Sequence, residues 1–258
     1  ESVTWSTNTN DVQVSSDGTV SLTSAADYET ATSYSFTISA TDSVDNVTTT
    51  DTISVSVNNL DDEAPTFTSS ATFSAAENQT SIGTVTTTDP DSSSVAYRIS
   101  LGGIEISQDG VLTFFSAPDY ETQNTYTATV TATDTNSNSS TQNITVNVTN
   151  VNDVAPVFTS SATFSAAENQ TSIGTVTATD VDSSSLTFSV SGSELAITSG
   201  GVLSFVSAPD YETKSSYTAT VSVTDGSFTT TQSITVNVTN VKDIAPVFTS
   251  SSSFTVDE

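Results

Sequence analysis

Apolar and polar residues alternate along most of the chain. In the run 217–223, Tyr217, Ala219, Val221 and Val223 share one face, and Thr218, Thr220 and Ser222 share the other. Ile234, Val236 and Val238 alternate with Thr235 and Asn237 in the same way. A period of two marks a half-buried strand, because successive side chains point to opposite faces of a sheet. Turn formers separate these runs: Gly174, Gly192, Gly200-Gly201 and Asp225-Gly226. No stretch keeps a helical period over three turns. The abundant Thr and Val agree, since β-branched side chains suit a pleated surface. About seven short strands in every ~90 residues predict an antiparallel β-sandwich.

The pattern repeats. Residues 64–89 and 155–180 agree at 24 of 26 positions, and Glu77 and Glu168 lie 91 residues apart. The segment Ala-Pro-Asp-Tyr-Glu-Thr recurs at the same offset, at Asp119 and Asp210, and a variant of it contains Asp27, 92 residues before Asp119. Self-similarity at a fixed period signals a repeat architecture. The sequence divides into a partial repeat at 1–60, holding only the later strands, full repeats at 61–151 and 152–242, and the first strand of a further repeat at 243–258. Val3, Trp5, Val20 and Leu22 align with Leu186, Phe188, Leu203 and Phe205. A partial repeat cannot close its own core, so the chain reads as a window of a longer array.

Charge narrows the function. Thirty acidic residues face only Arg98, Lys214 and Lys242, a formal net charge of −27. Nucleic acid needs a basic face to neutralise phosphates, so it is excluded as a partner. An anionic membrane surface would repel the chain, and no apolar run reaches the roughly 18 residues of a membrane span. Neither His nor Cys is present. That removes the commonest general base and the usual transition-metal ligands. Regular alternation argues against the disorder that such charge would otherwise suggest.

The acids recur in order. Glu168-Asn169 follows the linker proline. Asp180-Val181-Asp182 sits in the turn after the second strand. Asp210-Tyr211-Glu212 precedes the penultimate strand, and Thr224-Asp225-Gly226 ends it. Between repeats runs Asn150-Val151-Asn152-Asp153-Val154-Ala155-Pro156. Each motif alone is common in acidic sequences. Five in fixed order, repeated, are not. Together they resemble the cadherin repeat, and the resemblance extends over the whole chain. It implies tandem seven-stranded Greek-key β-sandwiches of immunoglobulin-like architecture in an elongated array, with calcium held at the junctions by both neighbours. At the first junction the implied ligands are Asp27, Glu29, Asp61, Asp62, Asp89, Asp91 and Asp134. At the middle junction they are Glu77, Asp119, Glu121, Asn152, Asp153, Asp180, Asp182 and Asp225, with carbonyls of Val151 and Val154. At the last they are Glu168, Asp210, Glu212 and Asp243, where Lys242 replaces the linker asparagine and lowers the expected ion count. The chemistry agrees with calcium, which takes six to eight oxygens.

Asp11, Asp45, Asp51, Asp109 and Glu194 lie off these motifs and are expected to be solvated surface. Phe158, Phe164, Tyr211 and Tyr217 are expected in packing. The resemblance implies a non-enzymatic, calcium-stiffened structural or adhesive segment, secreted or on the cell surface. Its expected partners are calcium ions and the neighbouring repeats, with identical chains or cell-surface glycans as further candidates. The lack of Cys and scarcity of Lys and Arg resemble bacterial surface adhesins. One alternative is a carbohydrate- or partner-binding module, which would need an exposed aromatic platform; Trp5 is the lone tryptophan and aligns with core positions. Another is a filament subunit assembled by strand exchange, with residues 244–258 supplying the strand that 1–60 lack.

Overall fold

The structure is a computed structural model that describes residues 2–92, 94–100, 102–249, 252–253 and 255–256. All regular structure among them is β. The chain forms two compact units, Glu1–Thr149 and Asn150–Glu258.

The first unit opens with five strands: β1 (Val3–Thr7), β2 (Val12–Val14), β3 (Val20–Leu22), β4 (Ser33–Asp42) and β5 (Thr48–Ser56). They form a β1-β4-β5 sheet and a β2-β3 hairpin. Nine more follow: β6 (Thr66–Phe67), β7 (Thr72–Ala76), β8 (Ser81–Thr84), β9 (Thr87–Thr88), β10 (Ala96–Ile99), β11 (Ile104–Ile106), β12 (Val111–Phe114), β13 (Thr125–Thr133) and β14 (Ser139–Thr149). The second unit repeats this set: β15 (Val157–Phe158), β16 (Thr163–Ala167), β17 (Ser172–Thr175), β18 (Ala178–Thr179), β19 (Thr187–Val190), β20 (Leu195–Ile197), β21 (Val202–Phe205), β22 (Ser216–Thr224) and β23 (Thr229–Thr239).

These nine segments are seven strands, because the first two are each broken once. In the second unit β15 and β16 are halves of the first strand, and β17 and β18 halves of the second. β15 pairs with β18, while β16 crosses to the other sheet and pairs with β23. That last pairing is parallel, with Phe164 opposite Val236, and β7 pairs with β14 in the same way. The alternation predicts antiparallel pairing, and one pair per repeat departs from it. The reason is the odd strand number: the first and seventh strands run the same way, so neighbours drawn from the two ends of the repeat are parallel.

The predicted faces are buried as a set. Val221, Val223, Ile234, Val236 and Val238 form the second unit's core with Leu203, Phe205 and Val176. Phe158, Phe164 and Tyr217 pack against it, whereas Tyr211 is 38% exposed. The hairpin between β20 and β21 needs glycine at Gly201. Its φ is +89°, and a Cβ there would lie 2.3 Å from the Val176 carbonyl oxygen. Only glycine accepts both conditions cheaply.

The opening repeat has a thinner core of Val12, Phe36 and Ile38. Trp5 pairs opposite Ala40 as Phe188 does opposite Val223, yet Trp5 is 37% exposed and Phe188 9%. In the second unit Phe158 of β15 packs against Phe188, ring centroids 6.5 Å apart; no strand among residues 2–60 takes the place of β15. The described residues of 243–258 carry no strand, and Val247 and Phe248 are 82% and 93% exposed. The strand expected there also includes positions 250, 251, 254, 257 and 258, which lie outside the described residues. Its counterparts β15 and β16 pair with later strands of their own repeat.

Leu203 is fully buried at the centre of the second core. Leu203→Ala should destabilise that repeat by about 3 kcal/mol in urea unfolding, the usual cost of a deleted core side chain plus its cavity.

Candidate metal centres

The linker before β6, the turn after β9 and the turn after β13 meet at one end of the full repeat in the first unit. They bring Asp61, Asp89, Asp91 and Asp134 together. Carboxylate oxygens of Asp61, Asp89 and Asp91 lie within 4.8 Å of one another. Two such charges ~5 Å apart repel by about 3 kcal/mol at an effective dielectric of 20. Backbone N–H groups hold them there. Asp91 Oδ2 accepts from the N–H of Asp62 at 2.9 Å and of Glu63 at 3.1 Å. Asp89 Oδ1 accepts from the N–H of Ser92 at 3.0 Å. Asp134 Oδ1 accepts from the N–H of Asn136 at 2.8 Å and of Asn138 at 2.9 Å. Asp61 Oδ2 accepts from the Thr135 hydroxyl at 2.9 Å.

Each carboxylate thus spends one oxygen on its own anchoring. The other oxygens, Asp61 Oδ1, Asp89 Oδ2, Asp91 Oδ1 and Asp134 Oδ2, are buried with no hydrogen-bond partner. Asp134 as a whole is only 7% exposed. Unsatisfied buried oxygens are rare in folded proteins and call for an explanation.

The second unit carries the same arrangement. Asp182 Oδ2 accepts from the N–H groups of Asp153 and Val154, both at 2.7 Å. Asp180 Oδ1 accepts from the N–H of Asp182 at 3.1 Å and of Ser183 at 3.2 Å. Asp225 Oδ1 accepts from the N–H of Ser227 at 2.6 Å and of Phe228 at 2.7 Å. Oxygens of Asp180, Asp182 and Asp225 lie within 4.8 Å of one another. Asn152 Oδ1, Asp180 Oδ2, Asp182 Oδ1 and Asp225 Oδ2 are buried without a partner. The two quartets correspond atom for atom, each residue 91 positions from its counterpart.

Proton affinities follow the geometry. Burial, and then the facing Asp91 carboxylate, push Asp89 above the usual carboxylate range. The Asp182 carboxylate, and then burial, do the same to Asp180. For Asp91, burial is outweighed by the N–H groups of Glu63 and Asp62 and by Asp89, so it stays below that range. Asp182 is held low first by Asp180, against burial, and then by the N–H groups of Val154 and Asp153. Asp134 is also held low, because its bonds from Asn138 and Asn136 outweigh burial.

The other predicted ligands divide. Glu29 and Asp62 each bring an oxygen within 4.8 Å of Asp91. Asp27 instead spends its oxygens on its own turn, accepting from the N–H of Glu29 at 3.0 Å and the Thr30 hydroxyl at 2.7 Å. Asp119 does likewise with Thr122, and Asp210 with Thr213. The middle set lies on both units. Glu77, Asp119 and Glu121 belong to the first, and Asn152, Asp153, Asp180, Asp182 and Asp225 to the second. Late in the second unit, Glu168, Asp210 and Glu212 cluster within 4.8 Å, and Asp243 Oδ2 accepts from the Asn169 amide at 2.6 Å. Glu194, read as solvated surface, is exposed and pairs with Lys214 at 2.6 Å.

Two features escape sequence reasoning. The Asn136 and Asn138 amides donate to the Asp61 carbonyl at 2.9 and 3.1 Å, tying the linker to the β13–β14 loop. No motif marks them; the loop 134–138 is one residue longer than 225–228 and asparagine-rich. The second is a structural duty of the early glutamate. Glu168 is 3% exposed, and its two oxygens accept from the N–H of Tyr211 at 2.7 Å and of Val241 at 2.6 Å.

Residues 71–149 match the cadherin domain family. That stretch is a cadherin-like repeat. The fold of the chain resembles repeats EC22–24 of mouse cadherin-23, with TM-score 0.69 and 26% identity over 93% of this chain and 86% of that one. It also resembles extracellular domains 3–6 of protocadherin gamma B2, with TM-score 0.72 and 21% identity over 93% and 68% of the two chains. For the human desmocollin-1 ectodomain the TM-score is 0.67 and the identity 20%, and this chain spans 56% of that one. No curated protein sequence matches it. The donor set of this cadherin-like chain, carboxylate and amide oxygens with no nitrogen or sulfur, suits a hard cation such as calcium.

Glu168→Ala should destabilise the second unit by about 2 kcal/mol in chelator, because two backbone N–H groups lose their acceptor. Urea unfolding without metal measures it. Glu168→Gln, whose single amide oxygen can accept from only one of these two N–H groups while its NH2 faces the other, should fall between alanine and the parent.

Proposed function

We propose that this chain is a calcium-binding structural and adhesive segment of an extracellular protein. The observation that supports it best is the pair of matching quartets of buried, unpartnered oxygens. In the six aspartates Asp89, Asp91, Asp134, Asp180, Asp182 and Asp225 the unpartnered oxygen is the one that the anchoring N–H groups leave free. Without a cation each quartet carries desolvation and repulsion with no return. A divalent ion would convert that repulsion into attraction. Asp61, Asp89, Asp91 and Asp134 would hold one ion; Asn152, Asp180, Asp182 and Asp225 would hold its counterpart.

Calcium suits the site better than magnesium. Magnesium wants near-ideal octahedral geometry and keeps its waters, whereas calcium accepts irregular sets of carboxylates and carbonyls. Glu29, Asp62, and separately Glu168, Asp210, Glu212 and Asp243, are further candidate ligands on the same reading. The ions would order the linkers, because Asp61 and Asn152 are linker residues and the rest of each quartet belongs to the sandwich. Extracellular modules bind calcium with dissociation constants of about 10⁻⁴–10⁻³ M. Recurrence of one carboxylate set in successive repeats fits structural ions better than an active site, of which proteins have few. The resemblance to animal cadherin ectodomains and the strong acidity fit an adhesive segment outside the cell.

The test is calcium titration calorimetry with thermal unfolding in calcium, magnesium and chelator. At calcium one hundred times the dissociation constant, each site should add about 2.7 kcal/mol of stability. Asp134→Ala and Asp225→Ala should each remove one bound ion. No heat of binding and no shift in unfolding would overturn the proposal.

A further inference from the structure

The two quartets match at every position but one. Asp89, Asp91 and Asp134 recur as Asp180, Asp182 and Asp225, but Asp61 recurs as Asn152, and the third linker has Lys242 there. The differing residue is not peripheral. Asp61 Oδ1 and Asn152 Oδ1, at corresponding positions of the two repeats, are both among the buried oxygens without a partner. Asp61 also brings an oxygen within 4.8 Å of Asp89 and Asp91. The buried Asp134 carboxylate faces Asp61 and leaves its own Oδ2 unpartnered.

We infer that this linker position grades calcium affinity along the chain, so that the Asp61 quartet fills at lower calcium than the Asn152 quartet. The inference rests on the calcium reading above. Two differences point the same way. The first is charge: four carboxylates converge on the first site and three carboxylates with one amide on the second. Ligand charge count is a principal determinant of calcium affinity. The second is preorganisation. The Asn136 and Asn138 amides hold the Asp61 carbonyl, which fixes the backbone that carries the ligand. The corresponding loop of the second unit is a residue shorter and has Gly226 and Ser227 instead. A ligand already in place loses less freedom when the ion arrives. Lysine at position 242 offers no acceptor and brings a like charge, so the third linker cannot supply this ligand at all. One position therefore runs from anionic ligand through neutral ligand to cation, inside repeats that are otherwise near copies.

Each site has its own reporter. The Ser92 amide donates to Asp89 and the Ser183 amide to Asp180. Calcium titration of the full chain, followed at these two amides by NMR, should show the Ser92 midpoint on the order of tenfold lower than that of Ser183. Asp61→Asn should raise the Ser92 midpoint to near that of Ser183. The reciprocal change, Asn152→Asp, should lower the Ser183 midpoint by a similar factor and leave Ser92 where it was. The reciprocal variant guards against a folding defect, since it gains affinity. Both amides moving together in the parent chain, or midpoints unchanged in both variants, would sink the gradient and leave calcium binding intact. Neither amide moving at any calcium concentration would sink the calcium reading itself.

Discussion

The repeat ends depend on one constraint: carboxylates must be held close although they repel. Backbone N–H groups meet it. In both quartets the turn itself supplies the donors, Asp91 to Ser92 around Asp89 and Asp182 to Ser183 around Asp180. The linker supplies the next pair, donated by Asp62 and Glu63 to Asp91 and by Asp153 and Val154 to Asp182. These bonds anchor one oxygen and aim the other inward. The linker is therefore stitched to the sandwich before any ion arrives. An ion would complete a frame that the backbone has already built.

That frame in turn depends on the sandwich. Asp89 directly follows β9 and Asp134 directly follows β13, so the ends of two strands set their spacing. Those strands stay in place because alternate residues are buried: Val130 and Ala132 in β13 are fully enclosed. Core packing and ligand placement are thus one problem. A shift of one residue in β13 would turn its apolar face outward and move Asp134 with it.

Much of this was legible in the sequence. Period-two alternation located β22 and β23 and their inward faces. Repetition was visible as an offset of 91, which survives wherever loops keep their length. The acidic motifs pointed to residues that do converge, such as Asp180, Asp182 and Asp225. Other features were hidden for physical reasons. The parallel pairing of β16 with β23 joins segments about 70 residues apart, and alternation says nothing about partners. The bonds by which Asp27 closes its own turn, from the Glu29 N–H and the Thr30 hydroxyl, leave no mark in the sequence, since a ligand there would be the same acid. The clamp of Asn136 and Asn138 on Asp61 joins a loop to a linker across the repeat, and asparagine in a loop is ordinary. Trp5 aligned with a core phenylalanine, but alignment carries no information on whether covering strands are present.

The pattern of identity and difference between repeats has its own logic. Residues 64–89 and 155–180 agree at 24 of 26 positions, and neither difference, Thr66 to Val157 nor Thr87 to Ala178, touches a quartet. Strands and turns are copied because one core and one frame serve every repeat. Position 61 and its counterparts are free of that pressure. The linker there makes no ladder bond and packs no core side chain, so aspartate and asparagine precede the same sandwich. A position that the fold does not constrain but the quartet feels directly is where one repeat can differ from the next without cost to folding. Near-identical modules then need not be interchangeable: their order along the chain carries information that their strands do not.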